Sequence, residues 1–256
     1  MSYTIIIPAR MHSTRLPEKP LADIEGKPMV VRVAERARLT SAARVIVATD
    51  HPKIAEACAA NGVEAVLTSP DHQTGTDRIS EVCRKLGLGD DELVVNIQGD
   101  EPLIPPEVVD RVAELLARKP GCAIATAAHP ISGIEDFMNP NVVKVELNAA
   151  GEAMTFTRAP VPWPRDAFRA DRTKMPEGFT ALHHIGLYAY RVRFLKAFPA
   201  LPPAPIETTE SLEQLRAMWN GERIAVMVLD SALPPGVDTE ADLERVREAY
   251  RNGSFR

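Results

Sequence analysis

The chain is short of cysteine, of positive charge and of long apolar runs, and each shortage closes off a class of function. Its three cysteines, Cys58, Cys83 and Cys122, are far apart and sit in apolar contexts. No C-x-x-C and no Cys/His zinc spacing occurs, so they read as small buried hydrophobes without a function. The formal net charge of -5 argues against a general nucleic-acid binder and makes any basic site a local one. No apolar run reaches membrane-spanning length, which argues against membrane insertion, and the N-terminus lacks the charged-apolar-small pattern of a signal peptide. A cytoplasmic location is expected. Neither G-x-x-x-x-G-K-[ST] nor G-x-G-x-x-G is present, so neither a P-loop nor a dinucleotide fold of that type is expected. There is no repeat, no low-complexity tract and no linker long enough to divide the 256 residues cleanly. The expectation is one domain with a sizeable core, a first half over 1–130 and a second over 131–256.

What is present is an alternation of strand and helix. Residues 3–7 read as a buried strand, followed by a helix over 28–39, a β-branched strand over 44–49 and a helix over 53–60 entered at Pro52. A short strand at 63–67 and a helix over 76–86 come next. Residues 93–97, L-V-V-N-I, are apolar enough for the middle of a parallel sheet. Pro105-Pro106 opens a helix through 117, and 122–127 is a fifth strand. This rhythm implies right-handed crossovers and an α/β, doubly wound, mostly parallel sheet. Beyond residue 130 the pattern loosens into paired strands at 142–147 and 153–158 and a proline-interrupted arm over 160–178. A strand at 184–190, one helix over 208–219, a strand at 223–229 and a closing helix over 239–250 with a Thr239–Asp242 capping box complete the reading. Tyr188 and Tyr190 are expected to face opposite ways, so that at most one lines a pocket.

Four stretches carry candidate chemistry. The loop after the first strand holds Arg10, Ser13, Thr14, Arg15 and Lys19, stiffened by Pro8, Pro17 and Pro20. In an open α/β sheet, ligands bind at the carboxyl ends of strands, and fixed cations with a hydroxyl suit a polyphosphate. A solvated basic loop is the plainer alternative. At the end of the fourth strand comes N-I-Q-G-D-E-P, residues 96–102. Gly99 permits a close approach, and Asp100 beside a phosphate loop suits Mg²⁺; an ordinary turn is the alternative. Asp238, in P-G-V-D-T before the last helix, reads equally as a helix-entry residue or as a second metal ligand. Residues 71–78, D-H-Q-T-G-T-D-R, form a polar strand-to-helix junction whose donors suit a base or ribose, or merely a capped helix start.

The set P-A-R-x-x-S-T-R-L-P-x-K-P, V-A-T-D, H-x-x-G-T-D-R, N-I-Q-G-D-E-P, N-P-N-V-V-K-V, H-I-G-L-Y-A-Y, L-E-Q-L-R and G-V-D-T-x-x-D-L-E resembles the 3-deoxy-D-manno-octulosonate (KDO) cytidylyltransferases, in order over nearly the whole chain. The resemblance implies a three-layer GT-A-like nucleotide-diphospho-sugar transferase fold with a small sugar-binding and dimerisation lobe. It also implies a homodimer and the transfer of CMP from CTP to KDO with release of diphosphate, which activates KDO for lipopolysaccharide. On the same ground, residues 1–130 become the CTP-binding half and 131–256 the sugar-binding and dimerisation half. Arg10, Ser13 and Lys19 should hold the CTP phosphates, and Asp100 and Asp238 should bind Mg²⁺. Ala9, Thr76, Arg78 and Gln98 should face the nucleotide. Arg15, Arg158, Arg165, His184, Tyr188, Glu210 and Gln214 are candidates for the KDO side. Arg10, Lys19, Asp100 and Asp238 are the implied catalytic set.

Buried polar groups near Ala9 and in 71–78 should favour CTP over UTP by at least about tenfold, since about 1.4 kcal/mol is a factor of ten. His184 on an apolar strand reads by itself as a core histidine. Trp163 and Trp219 read as packing or dimer contacts. The nearest rival is a CMP-sialic acid synthetase or another sugar-nucleotide pyrophosphorylase. A glycosyltransferase would want D-x-D where Gln98-Gly99-Asp100 stands. A non-enzymatic nucleotide-binding regulator has no need to keep two carboxylates with the phosphate cations.

Overall fold

The computed structural model describes residues 2–254. In chain order its elements are β1 (Thr4–Ala9), β2 (Asp23–Ile24), β3 (Lys27–Pro28), α1 (Met29–Ala37), β4 (Arg44–Thr49), α2 (Pro52–Ala60), β5 (Glu64–Leu67), α3 (Gly75–Lys85), β6 (Leu93–Asn96), α4 (Pro106–Arg118), β7 (Ile124–Pro130), α5 (Ile134–Met138), β8 (Lys144–Leu147), β9 (Ala153–Thr157), α6 (Arg165–Ala170), β10 (Leu182–Arg191), α7 (Val192–Ala197), α8 (Pro205–Glu210), α9 (Gln214–Trp219), β11 (Ile224–Val228) and α10 (Glu240–Asn252). These make an α/β fold with a mixed, mostly parallel sheet flanked by helices, as the alternation of patterns requires. The chain forms two compact units. One comprises Met1–Ala117, Leu187–Pro199 and Leu233–Arg256, the other Arg118–Gly186 and Ala200–Ala232.

In the first unit the strands run β5-β4-β1-β6, all parallel, with the second half of β10 antiparallel on β6. Ile5, Ile6 and Ile7 of β1 are fully buried, which is why this strand is central and reads as a continuous apolar run. The chain winds outward from β1 to β4 and β5, then returns to β6 on the other flank of β1. That reversal opens a crevice at the carboxyl ends of β1 and β6, the general ligand position of such sheets. The helices that pack this unit have ordinary causes. His51 Nδ1 accepts from Lys53 N at 3.2 Å to start α2, and Thr74 Oγ1 accepts from Asp77 N at 3.1 Å to start α3. Thr239 and Asp242 form the expected capping box of α10.

In the second unit β11 and β7 pair in parallel, β7 lies beside β10, and β8 and β9 form a hairpin that pairs with β10 at His183–Lys144. Phe137, Phe168, Ala181 and Ile131 make a small core, with Phe137 edge-on to Phe168 and Phe179.

Three expectations are corrected. The single helix over 208–219 is two: Ser211 takes a left-handed conformation (φ 52°) and ends α8 before α9 starts. No Gly or Pro marks that break. It is held instead by a bidentate ion pair, Arg216 to Glu207 at 2.6–3.1 Å. The arm over 160–178 contains a helix, α6, which sits between its prolines. Tyr188 and Tyr190 do not face opposite ways: their rings stack at 5.7 Å and 21°, because residues two apart on a strand share a face.

Candidate active site

A cavity of about 410 Å³ opens at the carboxyl ends of β1 and β6, within the first unit. It is built from the loop after β1, the entry of α3, the turn after β6 and the segment before α10. Its walls carry four fixed cations, Arg10, Arg15, Lys19 and Arg78, against the carboxylates of Asp100 and Asp238. In a chain of net charge -5 that is a local concentration of positive charge, suited to an anionic ligand.

The first loop reaches this place because Leu16 is buried with Ile24, Met29, Leu103, Val237, Leu243 and Val246. One apolar anchor thus pins the loop beside Val237, so Arg15 and Lys19 come next to Asp238 although more than two hundred residues separate them. Lys19 lies in a 3-10 turn and is the hub. Its ammonium donates to Asp100 Oδ2 at 2.6 Å, to the Val237 carbonyl at 2.7 Å and to Asp238 Oδ1 at 3.1 Å. An ammonium has three N–H bonds, and all three are committed here. Arg15 adds a bond to Asp238 Oδ1 at 2.9 Å.

The turn after β6 is fitted tightly against β1. A Cβ at Gly99 would lie 2.7 Å from the Pro8 carbonyl oxygen, a contact only glycine avoids. Val237 N donates to the Asp100 carbonyl at 2.8 Å, which ties the segment bearing Asp238 to the one bearing Asp100. Burial, then the charge of Asp100, pushes the neighbouring Glu101 carboxyl up to about 8.

At the α3 end, Arg78 is 4% exposed and lines the cavity. It donates to Thr68 Oγ1 at 2.5 Å and to Asp50 Oδ2 at 3.2 Å. His72 lies 2.5 Å from Glu81 Oε2. Burial raises the Glu81 pKa, but bonds from Lys85, Ser69 N and His72 outweigh it and bring the carboxyl down to about 2.

Of the residues singled out in the sequence, Ala9, Arg10, Ser13, Arg15, Lys19, Arg78, Gln98, Asp100 and Asp238 line this one cavity. Thr76 is buried in α3 and is not part of the lining. Tyr188 lies on β10 opposite Asn96 of β6. The remaining candidates belong to the second unit. There, Arg158 donates to the carbonyls of Glu210 and Pro140, and the Glu210 carboxylate accepts from Thr157 Oγ1 at 2.7 Å and Arg158 N at 2.9 Å. His184 is buried, bonds Thr126 Oγ1 at 3.0 Å and meets Phe156 edge-on, the surroundings of a core histidine. Burial, then His183, pushes it down to about 3. Arg165 is exposed at the start of α6, and Gln214 opens α9. Sequence reasoning missed the lining residue His12, and it missed Asp50 behind the lining. For Asp50 a signal existed: it follows the strand that pairs with β1.

The donor set has the chemistry of a site for a hard divalent cation. Asp100 and Asp238 converge on one ammonium, a positive charge standing between two carboxylates. Mg²⁺ takes one or two carboxylates plus substrate phosphates, so these residues fit it. Among the described residues no group of three or more His, Cys, Asp or Glu could hold a metal, which leaves phosphate oxygens and water to complete any shell here.

A family model described as cytidylyltransferase matches residues 4–224. The chain is similar to a solved CMP:2-keto-3-deoxy-manno-octonic acid synthetase complexed with CTP, at 42% identity and a TM-score of 0.89 over 98% of this chain and 99% of that one. It shares its fold with a cytidylyltransferase from Leptospira borgpetersenii serovar Hardjo-bovis, at 15% identity and a TM-score of 0.57 over 99% and 95%. It also shares it with HddC from Yersinia pseudotuberculosis, at 13% identity and a TM-score of 0.63 over 97% and 99%.

Proposed function

The chain belongs to the cytidylyltransferase family, and from that premise we propose that it transfers CMP from CTP to 3-deoxy-D-manno-octulosonate, releasing diphosphate and activating the sugar for lipopolysaccharide synthesis. The observation that carries this reading is the convergence of Arg10, Arg15, Lys19, Asp100 and Asp238 on one cavity of nucleotide size, in a chain 42% identical to a synthetase of that name solved with CTP.

In the reaction the sugar's anomeric hydroxyl attacks the α-phosphorus. A new P–O bond forms, the bond to the β-phosphate oxygen breaks with its electron pair leaving on the diphosphate, and the hydroxyl's proton passes to water. Arg10, Ser13 and Lys19 grip the phosphates and hold the diphosphate's developing charge; positioning and charge stabilisation are the main sources of rate in such transfers. Lys19 has every N–H committed within the protein, so gripping a phosphate requires it to release at least one of Asp100, Val237 and Asp238. Asp100 and Asp238 hold Mg²⁺, which when bound supplies charge neutralisation at the α-phosphate and a more acidic attacking hydroxyl. Arg78 and Gln98 face the nucleotide, with Ala9 and Thr76 at that end. Arg15 is the cation best placed for the sugar acid's carboxylate, because it lines the cavity beside Asp238. For Arg158, Arg165, His184, Tyr188, Glu210 and Gln214 a sugar-side role rests on the family resemblance alone.

A homodimer is part of the same reading. Met154, Trp163 and Trp219 of the second unit expose 44–63% of their surface, which suits a partner face. Light scattering on the purified protein tests it. Among the described residues no helix is long and apolar enough to cross a membrane, and the reading puts the enzyme in the cytoplasm with its nucleotide.

The deciding experiment is diphosphate release from CTP and Mg²⁺, with KDO, with sialic acid and with no sugar, and with Asp100→Ala alongside. Release that needs KDO and falls roughly 100- to 1,000-fold in the variant is expected. Release only with sialic acid would replace the substrate. No release with any sugar would leave a nucleotide-binding regulator.

A further inference from the structure

Asp50 stands immediately after β4, the strand that pairs in parallel with β1. Thr49 is level with Ala9, so Asp50 is one step further out, beside the start of the first loop. It is not part of the cavity lining. Its carboxylate, 16% exposed, grips the lining from behind at two places. Oδ1 accepts from Met11 N at 3.1 Å, between Arg10 and His12 of the phosphate loop. Oδ2 accepts from Arg78 at 3.2 Å. Arg78 is a nearly buried guanidinium, and Asp50 is the carboxylate paired with it among the described residues. Its other bond goes to Thr68 Oγ1, a hydroxyl that itself donates to the Thr49 carbonyl at 3.1 Å. The end of β4 is therefore a fixed post, with the loop on one carboxylate oxygen and Arg78 on the other.

We infer that Asp50 is a positioning residue for cytidylyl transfer: it sets the phosphate-gripping loop and Arg78 at a fixed separation, and so couples base choice to phosphate placement. The inference rests on the proposed function. Its chemistry is specific to a carboxylate. Both groups that Asp50 holds are donors, so both of its oxygens must accept. An asparagine offers one acceptor oxygen. Whichever way its amide turns, an NH₂ faces either Met11 N–H or the Arg78 guanidinium, and one grip is lost.

The test compares wild type, Asp50→Asn, Arg78→Lys and the double variant for KM of CTP, kcat, and the CTP:UTP ratio of kcat/KM, with circular dichroism and thermal melts as folding controls. Asp50→Asn is expected to fold, to raise the KM for CTP about tenfold and to lower the CTP:UTP ratio several-fold, with a smaller change in kcat. Loss of a merely structural contact would lower Tm and active fraction without moving base selectivity. In the Arg78→Lys background, Asp50→Asn is expected to lower selectivity little further, because it acts through Arg78. A folded Asp50→Asn with wild-type KM and selectivity overturns the inference. So do selectivity losses that multiply in the double variant. Should Asp50→Asn fail to fold, Asp50→Glu keeps two acceptors one methylene further out. It is expected to move KM and selectivity in the same direction by a smaller factor, and wild-type values there overturn the inference equally. Wild type that releases no diphosphate with CTP and any sugar overturns the reaction itself, and this role with it. Active wild type beside an indifferent Asp50 variant overturns the role alone.

Discussion

Two lysines, one in each unit, use their three donors in opposite ways. Lys19 faces the cavity and bonds two carboxylates and one carbonyl. Lys144, fully buried in β8, bonds three backbone carbonyls, those of Asn139, Val142 and Arg158, at 2.7–2.9 Å. Carbonyls are neutral and fixed, so the Lys144 ammonium serves as a staple that ties β8 to the 139–142 turn before it and to the backbone that follows β9. Burial, then the nearby Arg158, lowers its pKa from the ordinary lysine value. Two of the partners of Lys19 are carboxylates that line the cavity and can hold another cation, and the third is the Val237 carbonyl. Ionic partners at a cavity make a lysine exchangeable, whereas neutral partners in a core make it structural.

The sharpest break between the two is stability. Lys144→Met takes a donor from three part-buried carbonyls, of which that of Asn139 keeps the bond from Val142 N, and at about 1–3 kcal/mol for each carbonyl left unpaired it should lower the urea midpoint markedly. Lys19→Met should change stability by less than about 1 kcal/mol, since its two carboxylate partners reach water, yet cut diphosphate release roughly 100-fold. Equal midpoints for the two variants would erase the distinction.

Next in size is a pH effect from a core histidine in the staple's unit. His184 titrates at about 3 when folded and near 6.5 when unfolded. The unfolded chain therefore binds more protons between those values. Stability should fall as pH drops through that window, by up to about 1.4 kcal/mol per pH unit for this group. His184→Gln should flatten that slope in urea unfolding at pH 4 to 6.5. An unchanged slope would show that the residue is not buried neutral.

A smaller effect sharpens the cavity side. Because Lys19 stands between the carboxylates, it competes with any divalent cation for them. Lys19→Met should bind Mn²⁺ about tenfold more tightly without nucleotide, read by electron paramagnetic resonance. In wild type, CTP should tighten Mn²⁺ binding by drawing Lys19 away. The smallest effect belongs to Glu81, whose carboxyl sits at about 2. Its contribution is present above its unfolded pKa of 4.5 and is lost as pH falls towards 2, so Glu81→Gln should weaken stability at pH 6 and much less at pH 2.

How far the chain could be read follows from how local each signal was. The apolar run of β1, the cationic loop after it and the Gly99-Asp100 turn were legible because each is contiguous and sits at the end of a strand. The Thr239–Asp242 capping box was legible for the same reason. Less visible was the meeting of Lys19 with Asp238. It depends on Leu16 and Val237 sharing one apolar cluster, a long-range packing fact with no local spelling. The break at Ser211 carries no Gly or Pro and is stabilised by a tertiary ion pair, Arg216–Glu207. The two tyrosines of β10 were misread by face, although the two-residue period of a strand was available to settle it. Asp50 was spelled out in V-A-T-D, but its role needed the register of β4 on β1.

The first unit is discontinuous in the chain, and its last segment starts at Leu233. A ribosome emits Lys19 81 residues before its partner Asp100 and 219 residues before Asp238. While the 219 residues between Lys19 and Asp238 are made, the cationic loop lacks its second counter-charge, and Leu16 lacks Val237 to pack on. On a nascent chain, folding of the N-terminal strands can begin early, but the cavity is completed only when the final segment emerges.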